Sequence, residues 1–385
     1  MKITVPEYFK EFKCIADKCE DTCCAGWGIV IDEETNEYYQ NVKGTFGERL
    51  RSEIVNDGGE NIFILKNNNC PFLDENKMCD IYKELGGESL CYTCKQYPRY
   101  TEEFGNVREI GISVSCPEAA RIILRENKKS TFEVSVNEEE VTRYNDINAR
   151  LYFELIQCRV VIYRILQNRD MDINIRCAIA LLFVEKIQEK IDNSDIMEIK
   201  DVREEFIKKE YIHKIMNNIE KSKHKKYDRY LNMNKYINIF KELKHINPND
   251  PLGLEDILRY FWQSDEDMEL YFIKNKAFEE NIKDELYKFE NILVYFVFRY
   301  FMKAVFDYDA LAKMKLAIVS YIVIRELALV RFIENGEFTN EDMVDIAHIY
   351  SKDVEHLEEN IETLYELFES EESFKCNEII KCLIN

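Results

Sequence analysis

The spacing of apolar residues divides the chain into two parts. Beyond about residue 145, apolar positions recur every three to four residues, as between Leu151 and Ile165, which is the spacing of an amphipathic helix. Residues 311–332 are apolar on most sides, which predicts a helix buried inside a bundle. This part of the chain therefore predicts an all-helical domain.

The most regular helical pattern lies near the end of the chain. Its apolar positions alternate steps of four and three: Met343, Ala347, Tyr350, Val354, Leu357, Ile361, Leu364 and Phe368. They predict one long helix, and Thr339 with Asp342 predicts a capping box at its start. Such a seam can dimerise as a coiled coil, although packing on the chain's own bundle is the simpler interpretation.

The first third of the chain has no comparable period. Ten of the twelve Gly and four of the six Pro lie at or before Pro117, and these residues punctuate turns and loops. We therefore predict a loop-dominated module at 1–126 with short strands at 29–31, 62–65 and 107–114. A polar stretch predicts a linker at 127–144, followed by the helical domain at 145–385. The fold class is mainly α.

Composition narrows the functional classes. The chain has 385 residues, is 46% hydrophobic and carries a formal net charge of −21, so it can bury a core. Such acidity argues against nucleic-acid and anionic-membrane partners. Charged residues interrupt any apolar run at the start, and no apolar stretch approaches the roughly 20 residues of a membrane span. We expect a soluble, cytoplasmic protein.

Cysteine is concentrated in the first part, where nine of the thirteen lie at or before position 116. A disulfide scaffold is disfavoured because their number is odd and no secretory signal is visible. Structural zinc is an alternative, for which Cys91-x-x-Cys94 has suitable spacing. An iron–sulfur cluster is the third interpretation, because such clusters are commonly held by thiolates from several irregularly spaced loops. Spacing alone does not choose between zinc and iron–sulfur.

Histidine is absent from the Cys-rich part, so a local metal site would be built from thiolates. The five histidines are His213, His224, His245, His348 and His356. We interpret each as an ordinary surface or core residue. The sequence also lacks the phosphate-binding loop, the dinucleotide fingerprint, the H-E-x-x-H zinc motif and the G-x-S-x-G elbow.

An ordered set of motifs nevertheless resembles a known family. Its elements are Cys19-Glu20-Asp21-Thr22-Cys23-Cys24-x-Gly26-Trp27, Cys70-Pro71-Phe72-Leu73-Asp74, Cys79-x-Ile81-Tyr82, Thr93-Cys94-x-x-Tyr97-Pro98-Arg99 and Ser115-Cys116-Pro117-Glu118-Ala119-Ala120-Arg121. Over roughly residues 8–125 the chain resembles the flagellin lysine-N-methylase (FliB) family. It is more loosely similar to YkgJ-type cysteine-cluster proteins.

The resemblance implies an enzyme that moves methyl groups from S-adenosylmethionine to lysine side chains of flagellin. It also implies a [4Fe–4S] cluster, with zinc as the alternative. The residues that would hold the metal are Cys14, Cys19, Cys23, Cys24, Cys70, Cys79, Cys94 and Cys116. These are more thiolates than one cluster needs. Either the chain has two metal sites, or some of these cysteines have a structural role. Cys91 is the weakest candidate for a metal ligand. A non-catalytic metal-binding or partner-binding protein is the alternative function.

Lysine methylation requires removal of a proton, because an ammonium with a pKa near 10.4 is not nucleophilic. The matched region supplies five candidate groups: Asp21, Tyr97, Tyr100, Glu109 and Glu118. The sequence does not choose among them. Arg99 and Arg121 could neutralise a cofactor carboxylate, although pairing with neighbouring carboxylates is the commoner role for such residues.

Overall fold

The computed structural model describes residues 1–125, 127–139, 147–221, 226–246, 252–264 and 267–384. The described chain is mainly helical with a few short strands, as the sequence predicts. None of its helices is both long enough and apolar enough to cross a bilayer.

The elements follow the chain in this order. The strands are β1 (Lys2–Pro6), β2 (Val30–Ile31), β3 (Ile54–Asp57), β4 (Glu60–Phe63), β5 (Arg99–Phe104), β6 (Val107–Ile112) and β7 (Phe132–Val136). The helices of the first third are α1 (Glu33–Asn41), α2 (Gly44–Ser52), α3 (Asp80–Leu85), α4 (Tyr92–Gln96) and α5 (Pro117–Arg125). The later helices are α6 (Ala149–Leu166), α7 (Ile173–Asp192), α8 (Ile199–Phe206), α9 (Lys209–Lys221), α10 (Lys226–Lys241), α11 (Leu254–Phe261), α12 (Asp267–Ile282), α13 (Leu286–Tyr300), α14 (Ala304–Asp307), α15 (Ala310–Asn335), α16 (Asn340–Glu355), α17 (Glu358–Ser370) and α18 (Cys376–Ile384).

Two small sheets lie in the first third. The larger has the order β5-β6-β1-β7, with β1 parallel to β6 and antiparallel to β7. The smaller is antiparallel, in the order β2-β4-β3. Gly58 and Gly59 join β3 to β4 with positive φ angles, which favours a tight hairpin whose twist matches that of the strands.

The three predicted strands are present with shifted bounds, as β2, β4 and β6. The other four strands were not predicted. One of them, β7, falls inside the stretch predicted as a linker and forms an edge of the larger sheet. Residues 140–144 of that stretch, and the first two residues of the predicted helical domain, lie outside the described residues. The proposed domain boundaries stay a prediction.

The helical part is organised around α15. Nearly every residue of this helix from Ala310 to Val330 is buried, as the apolar run predicts, and it packs against α7, α13, α16 and α17. Asp309 caps its first turn through Ala312 N at 2.8 Å, and Gly336, with a φ of 75°, ends it.

The prediction of one long helix near the end of the chain is wrong, because two helices, α16 and α17, occupy that stretch. The capping box of Thr339 and Asp342 at the start of α16 is confirmed. The chain leaves helical geometry at Leu357, with a ψ of 89°. The Asn360 side chain donates to the freed carbonyl of Asp353 at 3.0 Å, so the break leaves that buried acceptor satisfied. The predicted seam packs inside the chain's own core.

Two hydrophobic clusters form the interior. The larger joins β5, β6 and α5 to the C-terminal helices. The smaller lies between β2, β4, α1, α2 and α3 and contains Tyr39, Phe63 and Phe72. Five of the early cysteines belong to or border the smaller cluster, whereas Cys116 belongs to the larger one. The early cysteines are therefore divided between the two interiors.

Candidate functional site

One set of cysteines, here the inner thiol group, lies in the smaller cluster. Its members are Cys24, Cys70, Cys79, Cys91 and Cys94. Cys70 N donates to Cys24 O at 2.7 Å, and the Cys70 thiol interacts electrostatically with those of Cys24, Cys79 and Cys91. Cys79 and Cys91 each stand directly before a helix, α3 and α4. The loops and helix starts therefore gather five thiols that are far apart in sequence.

A second set, the boundary thiol group, lies where the N-terminal region meets α5 and α16. Its members are Cys14, Cys19, Cys23 and Cys116. Cys116 interacts electrostatically with Cys19 and Cys14, and Cys23 interacts with Cys14 and Cys116. Adjacent Cys23 and Cys24 link the two groups. The eight predicted metal-binding cysteines thus fall into two neighbouring groups of thiols.

Two thiol pairs are hydrogen-bonded side chain to side chain. The hydrogen bond from Cys23 lowers the pKa of Cys24, and that from Cys94 lowers the pKa of Cys91. The same hydrogen bonds raise the pKa of Cys23 and Cys94. Burial raises the pKa of Cys70 and that of Cys116 to about 12. Each pair therefore favours one thiolate beside one thiol, and thiolate is the form that binds metal.

Whether these groups bind metal stays a prediction. All thirteen cysteines are described and free, and a set of buried thiols suits zinc or an iron–sulfur cluster. Among the described residues, however, no three or more His, Cys, Asp or Glu side chains are arranged to hold a metal ion. Cys91, the weakest candidate by sequence, pairs with Cys94 and belongs to the inner group.

Three aromatic rings cover the boundary thiol group. Trp27, Tyr97 and His356 have ring centroids 5.1 to 5.8 Å apart. Trp27 Nε1 donates to Cys23 O at 3.0 Å, and His356 Nε2 lies 2.6 Å from Ser115 Oγ. Burial, with the nearby charges of Arg299 and Lys352, lowers the pKa of His356 to about 3, so this imidazole is neutral.

Ser115 belongs to a buried network of hydrogen-bonded polar side chains. Ser113 Oγ lies 2.7 Å from Ser115 Oγ and accepts from Arg299 Nη1 at 2.7 Å. The Glu355 carboxylate accepts from Tyr295 OH at 3.0 Å and from Tyr300 OH at 2.7 Å. Because all these groups are paired, the network holds the segment before Cys116 against α13 and α16.

An open cavity of about 340 Å³ lies beside the boundary thiol group. Residues 20 and 21 form one wall, α16 forms another, and residues 246 and 252 form the rim. Its lining comprises Glu20, Asp21, Ile246, Leu252, Asp345, His348, Ile349, Lys352 and Asp353. The lining therefore contains four carboxylates, one lysine and one histidine.

Each of the four lining carboxylates already has a basic partner, which for Glu20 is Arg121 Nη2 at 2.6 Å. Lys352 Nζ lies 2.6 Å from Asp21 Oδ2, and Arg331 Nη2 lies 2.9 Å from Asp345 Oδ2. Asp353 pairs with His245. Burial lowers the pKa of His245, but the contact with Asp353 outweighs burial and raises that pKa. Burial likewise opposes ionisation of Asp21, but contacts with His348 and Lys352 hold the pKa of Asp21 well below its usual range.

Most of the other residues that the sequence named as candidate bases or cofactor partners take part in contacts within the fold. Glu109 forms a buried ion pair with Arg159, and Glu118 pairs with Arg121 at 2.8 Å. Arg121 also contacts Glu20 and Glu341, and Arg99 lies over the Phe12 ring at 5.1 Å. Tyr97 OH lies 3.3 Å from Ser115 Oγ. Tyr100 OH is buried without a hydrogen-bond partner among the described residues.

Of the candidate bases, only Asp21 lines the cavity. Sequence reasoning missed its partners on α16, His348 and Lys352, and missed His356 beside the thiols. These residues lie more than 320 positions from Asp21 and carry no motif of their own. The one available signal was the i, i+4 spacing of His348 and Lys352 on a predicted helix, which places both on one face.

Comparison with known proteins finds a family profile and curated relatives that match this chain. A family profile described as the FliB lysine N-methylase C-terminal domain matches residues 159–382. The lysine-N-methylase of Salmonella typhimurium is 31% identical over 137 residues, 32% of this chain and 33% of that protein. The protein named flagellar biosynthetic protein FliU of Salmonella muenchen is 31% identical over 138 residues, 32% of this chain and 78% of that protein.

The match to the curated lysine-N-methylases is partial, since the chain spans about a third of their length. No solved structure matches the chain.

Proposed function

This chain belongs to the FliB lysine N-methylase family, and on that premise we propose that it transfers methyl groups to lysine side chains. The observation that carries the proposal is the family match over residues 159–382, which includes α16 and its wall of the cavity. Relatives named lysine-N-methylase support the same reaction.

The charge of the cavity is consistent with a lysine substrate. Its lining holds four carboxylates, each paired with a basic side chain, and their oxygens can also accept hydrogen bonds from a substrate ammonium. The cavity is also open, so a side chain presented by a protein surface could enter it.

We propose S-adenosylmethionine as the methyl donor and flagellin as the protein substrate, with the reaction in the cytoplasm. The donor and the substrate follow from the family resemblance. The relative named a flagellar biosynthetic protein supports the connection with flagella.

We further propose a [4Fe–4S] cluster, with zinc as the alternative metal, held by the thiol groups. The inner group supplies Cys24, Cys70, Cys79 and Cys94, with Cys91 beside them, and the boundary group supplies Cys14, Cys19, Cys23 and Cys116. The support is the chemistry of the donors, since buried thiols in hydrogen-bonded pairs are soft ligands that ionise in part. A bound centre would crosslink loops that otherwise pack around a small core.

The test of the function is methyl transfer by the full chain. Protein purified without oxygen is incubated with flagellin and S-adenosylmethionine carrying an isotopic label in its methyl group. The proposal predicts label on lysine side chains of flagellin, located by mass spectrometry of peptides. Flagellin with its surface lysines replaced by arginine is the matched control and should stay unlabelled.

Metal content is measured on the same preparation. Iron with acid-labile sulfide supports the cluster, and stoichiometric zinc without sulfide supports the alternative. Absence of label from native flagellin, in a preparation containing its full metal, would contradict the methylase proposal and favour a non-catalytic metal-binding role.

A further inference from the structure

The side chain of His348 is buried in the cavity wall with an unused nitrogen. Only 5% of the side chain is exposed. Its Nδ1 has no hydrogen-bond partner among the described residues. Since an unpaired buried polar atom costs free energy, its persistence in the lining of an open cavity points to a ligand.

The imidazole lies between two carboxylates. Nε2 is 3.6 Å from Asp21 Oδ2, and Nδ1 is 3.9 Å from Asp345 Oδ1. Both distances exceed a hydrogen bond, and contacts of this kind often shorten when substrate closes the site. Asp21 also binds Lys352 Nζ at 2.6 Å, so its carboxylate is fixed beside Nε2. A hydrogen on Nε2 facing Asp21 leaves the lone pair of the enclosed Nδ1 without a donor.

The geometry points to one role, which rests on the proposed function: we infer that the cavity receives the ammonium group of the substrate lysine and that His348 Nδ1 accepts its proton. The carboxylates of Asp345 and Glu20, which pair with Arg331 and Arg121, offer oxygen acceptors to the incoming cation. Asp21 orients the imidazole through Nε2. Lys352 and the Asp353–His245 pair complete the charged surroundings.

The proton transfer is balanced within the site. The substrate R–NH3⁺ gives one proton to His348 Nδ1, which leaves R–NH2 with a free electron pair. The amine then attacks the methyl group of the donor named above: the new N–C bond forms as the S–C bond of the sulfonium breaks, the donor leaves as a neutral thioether, and the positive charge passes to the methylated ammonium. The imidazolium returns its proton to water through the open side of the cavity.

The first test is nitrogen NMR of the full-length protein labelled at its histidines. With five histidines, single His→Gln variants assign every imidazole. The inference predicts that His348 carries hydrogen on Nε2 alone. Addition of N-acetyl-lysine methylamide should shift the Nδ1 resonance of His348 toward the protonated position, whereas the norleucine analogue, which lacks the ammonium, should not.

Asp345→Asn is a second variant for the same titration. Its affinity for the lysine compound should fall, and the norleucine compound should again leave the His348 resonance unchanged. A doubly protonated His348 in the free protein, or a His348 signal indifferent to the lysine compound, overturns the inference. This readout requires no methyl donor and no metal, so it stands apart from the success of the methylase assay.

The second test is kinetic. His348→Gln keeps a donor at the position of Nε2 and removes the acceptor at Nδ1. We expect its kcat to fall about 100-fold or more with KM little changed, and its rate to rise steeply with pH as free amine accumulates. His213→Gln, an exposed residue of α9, makes the same chemical change elsewhere and should leave the rate unchanged.

The two proposals fail differently. A wild-type protein that methylates lysine while His348→Gln retains its rate and pH profile contradicts the base role and leaves the methylase function standing. A wild-type protein whose His348 responds to the lysine compound but that never transfers a methyl group contradicts the methylase function instead. Circular dichroism of each variant confirms that it is folded.

Discussion

At the scale of single residues, one constraint on the fold is the buried ion pair between Glu109 of β6 and Arg159 of α6. Both side chains are at least 94% buried, being 3% and 6% exposed, and Arg159 also lies over the Phe298 ring at 5.4 Å. The pair joins the larger sheet to the helical part. Glu109 is one of the candidate bases of the sequence, but it already binds a cation and lies outside the cavity lining.

Replacing Glu109 by Gln should therefore reduce stability. The substitution leaves the Arg159 charge buried without its counter-ion, which costs about 3–5 kcal/mol of the free energy of unfolding. Urea titration followed by circular dichroism measures the loss. The matched change Glu133→Gln breaks an exposed pair with Lys10 and should cost about 1 kcal/mol or less. Equal losses in the two variants would contradict this account.

At the scale of elements, the junction of α16 and α17 shows how a distant contact overrides a local pattern. Asn360 accepts from Lys244 N at 3.0 Å and donates to Lys244 O at 2.7 Å and to Asp353 O at 3.0 Å. Its buried side chain joins the helix break to the segment after α10. His356 lies in this break and contacts Ser115. We would not expect an uninterrupted helix through residue 357 to allow that contact.

Asn360→Ala should loosen this junction. It leaves the buried carbonyl of Asp353 without this partner, which costs about 1–3 kcal/mol, and removes two part-buried contacts with Lys244, so we expect a clear fall in the urea midpoint. Asn238→Ala removes an exposed side chain that bonds only within its own helix, at 2.8 Å to Asn234 O, and should change the midpoint little. Hydrogen exchange at residues 353–361 would localise the effect; exchange that stays at the wild-type level there counts against it.

The loop that carries Cys24 docks on the cavity rim through Gly26. This glycine has a φ of +90°, and a Cβ built on it would lie 2.3 Å from Ile246 Cγ2. Asn68 Nδ2 donates to Ile246 O at 3.1 Å beside it. The contact requires both a left-handed backbone and the absence of a side chain.

Gly26→Ala should destabilise the chain more than Gly59→Ala does. Both glycines have positive φ, +90° and +98°, but a Cβ at Gly59 meets no atom within 4 Å. The backbone strain, about 1–2 kcal/mol for a residue with a side chain, is common to the two variants. The excess in Gly26→Ala, about 1–3 kcal/mol, measures the docking contact in urea titrations. Indistinguishable midpoints would show that Ile246 moves aside freely.

At the scale of the whole molecule, the division of the thiols predicts how metal content responds to substitution. If the inner and boundary groups each hold a centre, Cys79→Ser and Cys116→Ser should each remove part of the bound metal, and the double variant should remove most of it. Cys158→Ala changes a buried cysteine of the helical core and should leave the content unchanged. Complete loss in either single variant would indicate one shared centre.

Sequence predicted the features that depend on local spacing. The apolar run identified the buried α15, and the sequence selected every cysteine of the two thiol groups except Cys91. The strands β1 and β7 were missed because they are short and acquire their partners from more than 100 residues away. The cavity was missed for the same reason, since Asp21 and His348 meet only after the chain has folded.

The parallel pairing of β1 with β6 has a consequence for the modularity of the chain. Every residue of both thiol groups except Cys116 lies between these neighbouring strands, whose backbones are about 4.8 Å apart. The cysteine-bearing segment leaves the sheet at the end of β1 and returns through β5, whose first residue Arg99 pairs with Ile112 at the same end of the sheet. Its two ends therefore lie two strands apart, and the ends of inserted domains are similarly close together. A segment of this kind can be replaced as a unit, while α16 and its side of the cavity stay unchanged.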